Sequence, residues 1–293
     1  MADQMIKAVA GGGLIRAVAV MSTGVVDEAR RRHTTTPVAT VALGRALTGG
    51  LLLSATQQKE GRLTMRVMGD GPLGAIVVDA GTGGDVRGYV QHPQVEVPAN
   101  ASGSFDVGTA VGRDGFLHVT YSHDLSAPYT STVELASGEI GGDLTRFLAM
   151  SEQVPSAVML GVYIEPDESV SVAGGIIVQL MPGAGDEIAE RVEQTISDAP
   201  TFTEMARSGM DLESIVNQVL SGFAVDIKHR SEALAFRCRC DRDRVLGALR
   251  TLPSEELNAM IQEDHGAEVT CHFCSDQYRF TEDELKELIT LSA

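Results

Sequence analysis

The sequence predicts an α+β protein in three parts: an amino-terminal mixed sheet-and-helix domain, a helical linker and a small carboxy-terminal four-cysteine zinc domain. Three observations predict it. Short β-rich runs separated by glycine turns fill the first 180 residues, in a meander rather than a repeating βαβ unit. An acidic stretch with helical periodicity follows. The only four cysteines of the 293 residues then fall in the last fifth of the chain, as Cys238-Arg239-Cys240 and Cys271-His272-Phe273-Cys274.

The first part spans 1–180. Ile6–Ala10 and Ile15–Val20 read as strands around Gly11-Gly12-Gly13. Thr36-Pro37 opens a helix carrying Val38, Leu43, Leu47 and Leu51. Leu63–Met68 and Ala75–Asp79 read as strands, and Val86–Val90 as another. Between the first two lies Gly69-x-Gly71-x-x-Gly74, which matches the dinucleotide fingerprint in letters only. That fingerprint requires a helix after the loop, whereas Ala75-Ile76-Val77-Val78 is strand material and Pro72 sits inside the loop. Val158–Ile164 and Ser169–Leu180 give two more strands, and Met181-Pro182-Gly183 ends the block.

The second part, 181–232, reads as helical. Ile188, Val192 and Ile196 make one stripe. Asp211 caps a helix with Leu212, Ile215, Val216, Val219 and Leu220 on one face, and Gly222 follows its end. From Gly183 to Glu232 there are ten acids and four bases, so the segment repels itself and is expected to be only marginally folded alone.

The third part is 233–293. Leu234–Cys240 reads as a strand into the first cysteine pair. Asp241 and Ser254 each cap a helix, the second closed by Gly266. Glu268–Cys271 and Gln277–Phe280 form a hairpin around the second pair, and Thr281-Glu282-Asp283-Glu284 is a capping box. A module of about 60 residues with this little apolar content needs a staple.

Composition narrows the functions. The net charge of -17 repels a phosphate backbone, and 4% aromatics with no Trp gives no stacking platform, so no nucleic acid is expected as a partner. No secretory signal is read, and the longest apolar runs, such as Leu51–Leu53 and Ile176–Val178, fall short of a membrane span. A cytoplasmic, reducing compartment is expected, where clustered cysteines favour metal or redox chemistry. No nucleophile elbow, His-Glu-x-x-His or Walker loop occurs, and His92, His118 and His123 attach to no nucleophile, so no enzyme is expected.

Two tight pairs of thiols read as one tetrahedral site for Cys238, Cys240, Cys271 and Cys274, with His272 a bystander. Three readings of it stand: a structural zinc, a thioredoxin-like motif, disfavoured because Cys271-x-x-Cys274 lies in a hairpin, and a zinc-gated redox switch. The last gains from Cys-x-Cys, since a strand puts i and i+2 on one side within disulfide reach, and from Arg237, Arg239 and Arg242, which favour thiolates. An enzyme of unknown reaction with a structural zinc tail is the alternative function.

Phe236-Arg-Cys-Arg-Cys240, Ala267-Glu-Val-Thr-Cys-His-Phe-Cys274 and Tyr278-Arg-Phe280 resemble the zinc signature of the 33-kDa redox-regulated heat-shock chaperones of bacteria. Ala42–Leu47, Gly69–Gly74, Val86–Tyr89 and Ser151–Ser156 agree with the same family, so the resemblance covers essentially the whole chain. It implies an ATP-independent holdase protecting against oxidative and heat stress. It implies one Zn2+ per reduced chain on the four cysteines, and no catalytic or cofactor-binding residue. Oxidation by peroxide with unfolding stress, or by hypochlorite, would form Cys238–Cys240 and Cys271–Cys274 disulfides with loss of zinc. The zinc module and linker would unfold, the protein would dimerise, and unfolded clients would be held and handed to an ATP-dependent foldase system.

Overall fold

The computed structural model describes residues 2–101, 103–123 and 127–292. The chain divides into two compact units, Met1–Arg237 and Cys238–Ala293.

In the first unit, strands β1 (Gln4–Ala10) and β2 (Ile15–Met21) flank the Gly11–Gly13 turn, where all three glycines take positive φ. Helices α1 (Thr23–His33) and α2 (Pro37–Thr56) follow. Next come β3 (Arg62–Met68), β4 (Ala75–Gly81), β5 (Asp85–Val90), α3 (Val107–Val111), β6 (Phe116–Ser122), β7 (Tyr129–Glu134) and α4 (Gly141–Met150). Strands β8 (Ser156–Ile164) and β9 (Val170–Leu180) lead to α5 (Asp186–Asp198), α6 (Phe202–Arg207) and α7 (Leu212–Val219). Strands β10 (Val225–Ser231) and β11 (Ala235–Phe236) complete the unit.

Two sheets result. One has the order β10-β1-β2-β9-β8, antiparallel throughout. The other runs β11-β5-β4-β3-β6-β7, antiparallel except for the short β11–β5 pair. Helix α2 lies in the core shared by both sheets, with seventeen of its twenty residues buried. It is apolar all round because it is covered all round. By length and composition it is the one described helix that could cross a membrane, against the expectation from short apolar runs, but its burial makes it a core helix. Its glycines mark close approaches: a Cβ on Gly44 would lie 2.6 Å from Val26 and one on Gly50 2.7 Å from Val78.

The loop Gly69–Gly74 joins β3 to β4, so no helix follows it. A Cβ on Gly69 would meet the Val111 carbonyl at 2.1 Å and one on Gly71 the Ala110 carbonyl at 2.4 Å. These glycines are there to admit the backbone of α3.

Residues 181–232 pack into the first unit. The α6 and α7 residues Phe202, Met205, Leu212, Ile215, Val216 and Val219 form a second core with Ile6, Ile15 and Ile176 on the sheet. The all-helical expectation for this stretch is corrected at Val225–Ser231, which is a strand on β1 because Val225 and Ile227 alternate with polar neighbours. Helix α5 buries only Val192 fully.

The second unit holds α8 (Arg242–Leu249), α9 (Ser254–Glu263), the hairpin β12 (Gly266–Thr270) and β13 (Gln277–Thr281), and α10 (Glu282–Ser292). Three sequence expectations shift here. The strand read over Leu234–Cys240 is only Ala235–Phe236, because the ladder to β5 ends where Arg237 N–H donates to the Val86 carbonyl. Pro253, not Ser254, precedes the first turn of α9. That helix ends through His265 at φ 55°, while Gly266 opens β12, where a Cβ would strike the Phe280 carbonyl at 2.4 Å.

Candidate metal centre

The second unit has a core of five fully buried side chains, Leu249, Leu257, Phe280, Leu285 and Leu288. Around so small a core, polar fastenings position the cysteines. Asp241 caps α8 by accepting from Arg244 N–H at 2.8 Å. Arg244 in turn donates to the Arg239 carbonyl at 2.6 Å, which pins the turn between Cys238 and Cys240. Arg242 donates to the Arg279 carbonyl at 2.7 Å and to Glu284 at 2.5 Å, and its guanidinium lies 4.4 Å from the Phe280 ring centre. One side chain therefore ties the first cysteine segment to the hairpin and to α10. Thr281 and Glu284 close the capping box: Thr281 N–H donates to the carboxylate at 2.9 Å, and Glu284 N–H donates to the hydroxyl at 3.4 Å.

The second pair sits in the hairpin turn. Cys271 N–H donates to the Asp276 carbonyl at 2.9 Å, and Ser275 N–H to the Cys271 carbonyl at 2.8 Å. Ser275 takes φ 62°, a left-handed residue that folds the turn back. The result is a knuckle that aims both thiols one way.

The four sulfurs meet. Cys238 Sγ lies 3.7 Å from Cys271 Sγ, Cys240 Sγ lies 3.3 Å from Cys274 Sγ, and all four fall within 4.8 Å of one another. Tetrahedral zinc with ~2.3 Å bonds separates its sulfurs by about 3.8 Å, so the donor set fits such an ion. Cys274 is 1% exposed and the others are half-buried. Burial pushes the Cys271 and Cys274 thiols up, and the Cys238 thiol beside both pushes the same way. The nearby arginines are not among the causes that act on these two thiols, and Arg242 is engaged with Glu284. A bound cation is what would let such crowded sulfurs ionise together. His272 is not part of the four-sulfur cluster. Sequence reasoning missed Tyr278, whose hydroxyl donates to Cys240 Sγ at 3.2 Å. Its place seven residues after Cys271, on β13, was the available signal.

The stretch Tyr121-Ser122-His123, to which the sequence gave no role, borders a polar cavity of about 370 Å³ in the first unit, with Arg16, Lys59 and Glu152. Burial, then the Glu152 carboxylate, pushes the Tyr121 hydroxyl up. His123 Nδ1 lies 3.2 Å from the Glu60 carbonyl.

A mixed α+β body followed in sequence by a small unit closed around four thiols defines a class of α+β proteins with a carboxy-terminal four-cysteine cluster suited to a metal ion. A family model described as Hsp33 protein matches residues 3–281. The 33 kDa chaperonin of Rippkaea orientalis is 49% identical over 292 residues, covering 99% of this chain and 97% of its own. That of Lactiplantibacillus plantarum is 46% identical over 294 residues, covering 100% and 99%. The crystal structure of a 33 kDa chaperonin (heat shock protein 33 homolog) from Thermotoga maritima superposes with a TM-score of 0.92 at 34% identity, covering 99% of each chain. The chain belongs to the Hsp33 family.

Proposed function

We propose that this protein is a redox-regulated, ATP-independent holdase rather than an enzyme, and that Cys238, Cys240, Cys271 and Cys274 hold one zinc ion in the reduced state. Family membership supports the chaperone reading. The observation that carries the switch is the convergence of four sulfurs within 4.8 Å in a unit whose core, among the described residues, has five buried side chains. Structural zinc contributes roughly 10–16 kcal/mol of apparent binding energy in small modules, against the ~5–15 kcal/mol stability of a whole domain. Withdrawing the sulfurs therefore unfolds the second unit.

The oxidation is balanced pair by pair. Two thiols and one hydrogen peroxide give one disulfide and two waters, so the peroxide oxygen is reduced and the sulfurs oxidised. Cys238–Cys240 and Cys271–Cys274 are the proposed products, each closing a short loop. Zinc, when bound, supplies charge neutralisation to the four thiolates and holds the two pairs together.

The client surface follows from residues 181–232. If this segment opens together with the second unit, it uncovers Phe202, Met205, Leu212, Ile215, Val216 and Val219, and also Ile6, Ile15 and Ile176 beneath them. Burial of each such side chain is worth ~1.5–3 kcal/mol, which is the currency for holding an unfolded client. Cytoplasmic location, dimerisation on oxidation and transfer of clients to an ATP-dependent foldase system belong to the same proposal.

The test is light scattering from an aggregating, chemically unfolded client, with reduced and peroxide-treated protein side by side and zinc release followed in the same tubes. Suppression only by the oxidised, zinc-free form is the expected result. Zinc release without suppression would make the metal a staple and favour an enzyme of unknown reaction in the first unit.

A further inference from the structure

We propose that the free edge of β7 is a docking site for one extended segment of unfolded polypeptide, which adds to the second sheet as a further strand. The inference rests on the holdase reading and gives it a backbone-recognition site.

The register identifies which groups are free. β7 is last in its sheet and, among the described residues, pairs only with β6, from Phe116↔Glu134 to Tyr121↔Tyr129. Leu135 N–H donates to the Gly115 carbonyl at 2.9 Å. Antiparallel pairing alternates, so the odd residues of β7 share their bonds with β6, and the N–H and C=O groups of Thr130, Thr132 and Glu134 point outward. Along that edge runs a groove of about 570 Å³. All six β7 residues line it together with Arg146 and Met150 of α4, and Arg146 lies 3.6 Å from the Glu134 carboxylate at one end. A groove lined by consecutive residues of a strand follows the strand's backbone edge, not one of its faces.

The occupant follows from chemistry. A row of outward amides and carbonyls is matched by another extended backbone. Apolar side chains sit at the groove without cover: Tyr129 is 63% exposed and Met150 67%. Ser131, only 6% exposed, lines the groove with a hydroxyl that has no partner among the described residues. The other outer strands carry the usual protections of an edge. β10 pairs irregularly with β1 and bears Asp226, Lys228 and Arg230; β8 has a bulge at Tyr163/Ile164; β11 is two residues long. β7 has neither proline, lysine nor bulge.

The test uses the full-length, zinc-loaded protein, reduced and oxidised. The probe is a fluorescein-labelled, lysine-flanked peptide of alternating valine and threonine, followed by anisotropy. Thr132→Pro deletes one outward N–H and leaves the β6 ladder intact, and Thr132→Ala removes the side chain but keeps that N–H. The expected result is a Kd raised about tenfold or more by Thr132→Pro and changed little by Thr132→Ala, in both redox states. Peptide should also slow hydrogen exchange at the Thr130, Thr132 and Glu134 amides of the unmutated protein, a readout that stands even if Thr132→Pro fails to fold. Unchanged exchange at these amides with bound peptide, or no peptide binding at all, overturns the proposal. So does protection of these amides without peptide that grows with protein concentration, which would assign the edge to a second copy. The aggregation assay is run on the same samples. Suppression that survives Thr132→Pro with unchanged peptide affinity removes the edge and leaves the holdase standing, whereas peptide binding without suppression in either state removes the holdase and leaves the edge.

Discussion

The hydroxyl of Tyr278 donates to Cys240 Sγ at 3.2 Å, so a residue outside the four-sulfur set touches one of its members. Sharing a sulfur lone pair with a hydroxyl lowers that sulfur's nucleophilicity and fixes its direction. Contact with Cys240 correspondingly pushes the tyrosine's own ionisation up. Tyr278→Phe keeps the ring and removes the bond. Metal affinity is expected to fall about tenfold, the low end for loss of a partner to a ligand. Peroxide-driven zinc release should quicken. Competition with a chromogenic chelator measures the first and stopped-flow absorbance the second. An unchanged affinity and release rate would show the hydroxyl to be incidental.

Cys271 anchors the knuckle through its backbone as well as its thiol. Cys271→Ser leaves the backbone bonds available but removes one sulfur. Weak zinc binding and partial unfolding of 238–293 are expected even under reducing conditions, because five buried side chains do not hold the unit by themselves. Zinc content and hydrogen exchange check this. Normal metal content with unchanged protection would exclude it. A chelator under reducing conditions should reproduce the unfolding in the unmutated protein.

What was legible in the sequence was what local chemistry dictates. Gly11–Gly13 turned β1 into β2, Asp211 and Asp241 capped as their positions suggested, and Thr281 and Glu284 closed their box. The thiol cluster was legible because nothing else in the chain competes for that reading. Helix α1 was not, because Arg30, Arg31 and Arg32 face Asp27 and Glu28 in a salt-laced surface with only Val25, Val26 and Ala29 buried. β7 escaped because Ser131 stands where an apolar residue is expected; β6 does alternate, with Leu117, Val119 and Tyr121 buried, and was simply not read as a strand, and the two are joined on their outward face by pairs such as Thr120–Thr130. The strand read through Cys240 failed for the opposite reason. Arg-Cys-Arg-Cys has perfect period two, but a strand needs a partner and β5 supplies one only to Ala235 and Phe236.

Asp27 predicts an acid-sensitive tie between α1 and the start of β9. Its carboxylate accepts from Arg30 at 2.9 Å, Arg31 at 3.3 Å and Val170 N–H at 3.4 Å. Burial alone would push the carboxyl up, but the bonds from Arg30, Val170 and Arg31 together outweigh it and hold it below the usual range. A folded-state value below the unfolded one of about 3.9 means that the unfolded chain binds the proton more tightly. The stabilisation is therefore present above about pH 4 and is lost as pH falls through the depressed value. Asp27→Asn should lower the melting temperature at neutral pH, and the gap from the unmutated protein should close with acidification through that window. A gap that stays constant with pH would assign the effect to packing.

The buried face of α7 is where redox control and client binding are expected to meet. Leu212, Ile215, Val216 and Val219 are all fully buried, and α7 packs on β1 and β2. Neighbouring α5 contributes little, with Val192 its only fully buried side chain. Residues 181–232 are held by α6, with Phe202, Met205 and Ala206 buried, by β10 paired on β1, and by α7, a helix of eight residues that would not persist without its tertiary contacts. Ile215→Ala removes about 2–5 kcal/mol from that contact, a large share of what a single segment can contribute. The four-cysteine centre lies in the other unit and keeps all four sulfurs, so the variant separates opening of the segment from loss of metal. The reduced, zinc-loaded variant should then suppress client aggregation without oxidant, with its metal content unchanged and exchange across 183–232 accelerated. If exchange accelerates and the reduced variant still fails to hold a client, opening of this segment is not what exposes the client surface, and the second unit itself must supply it.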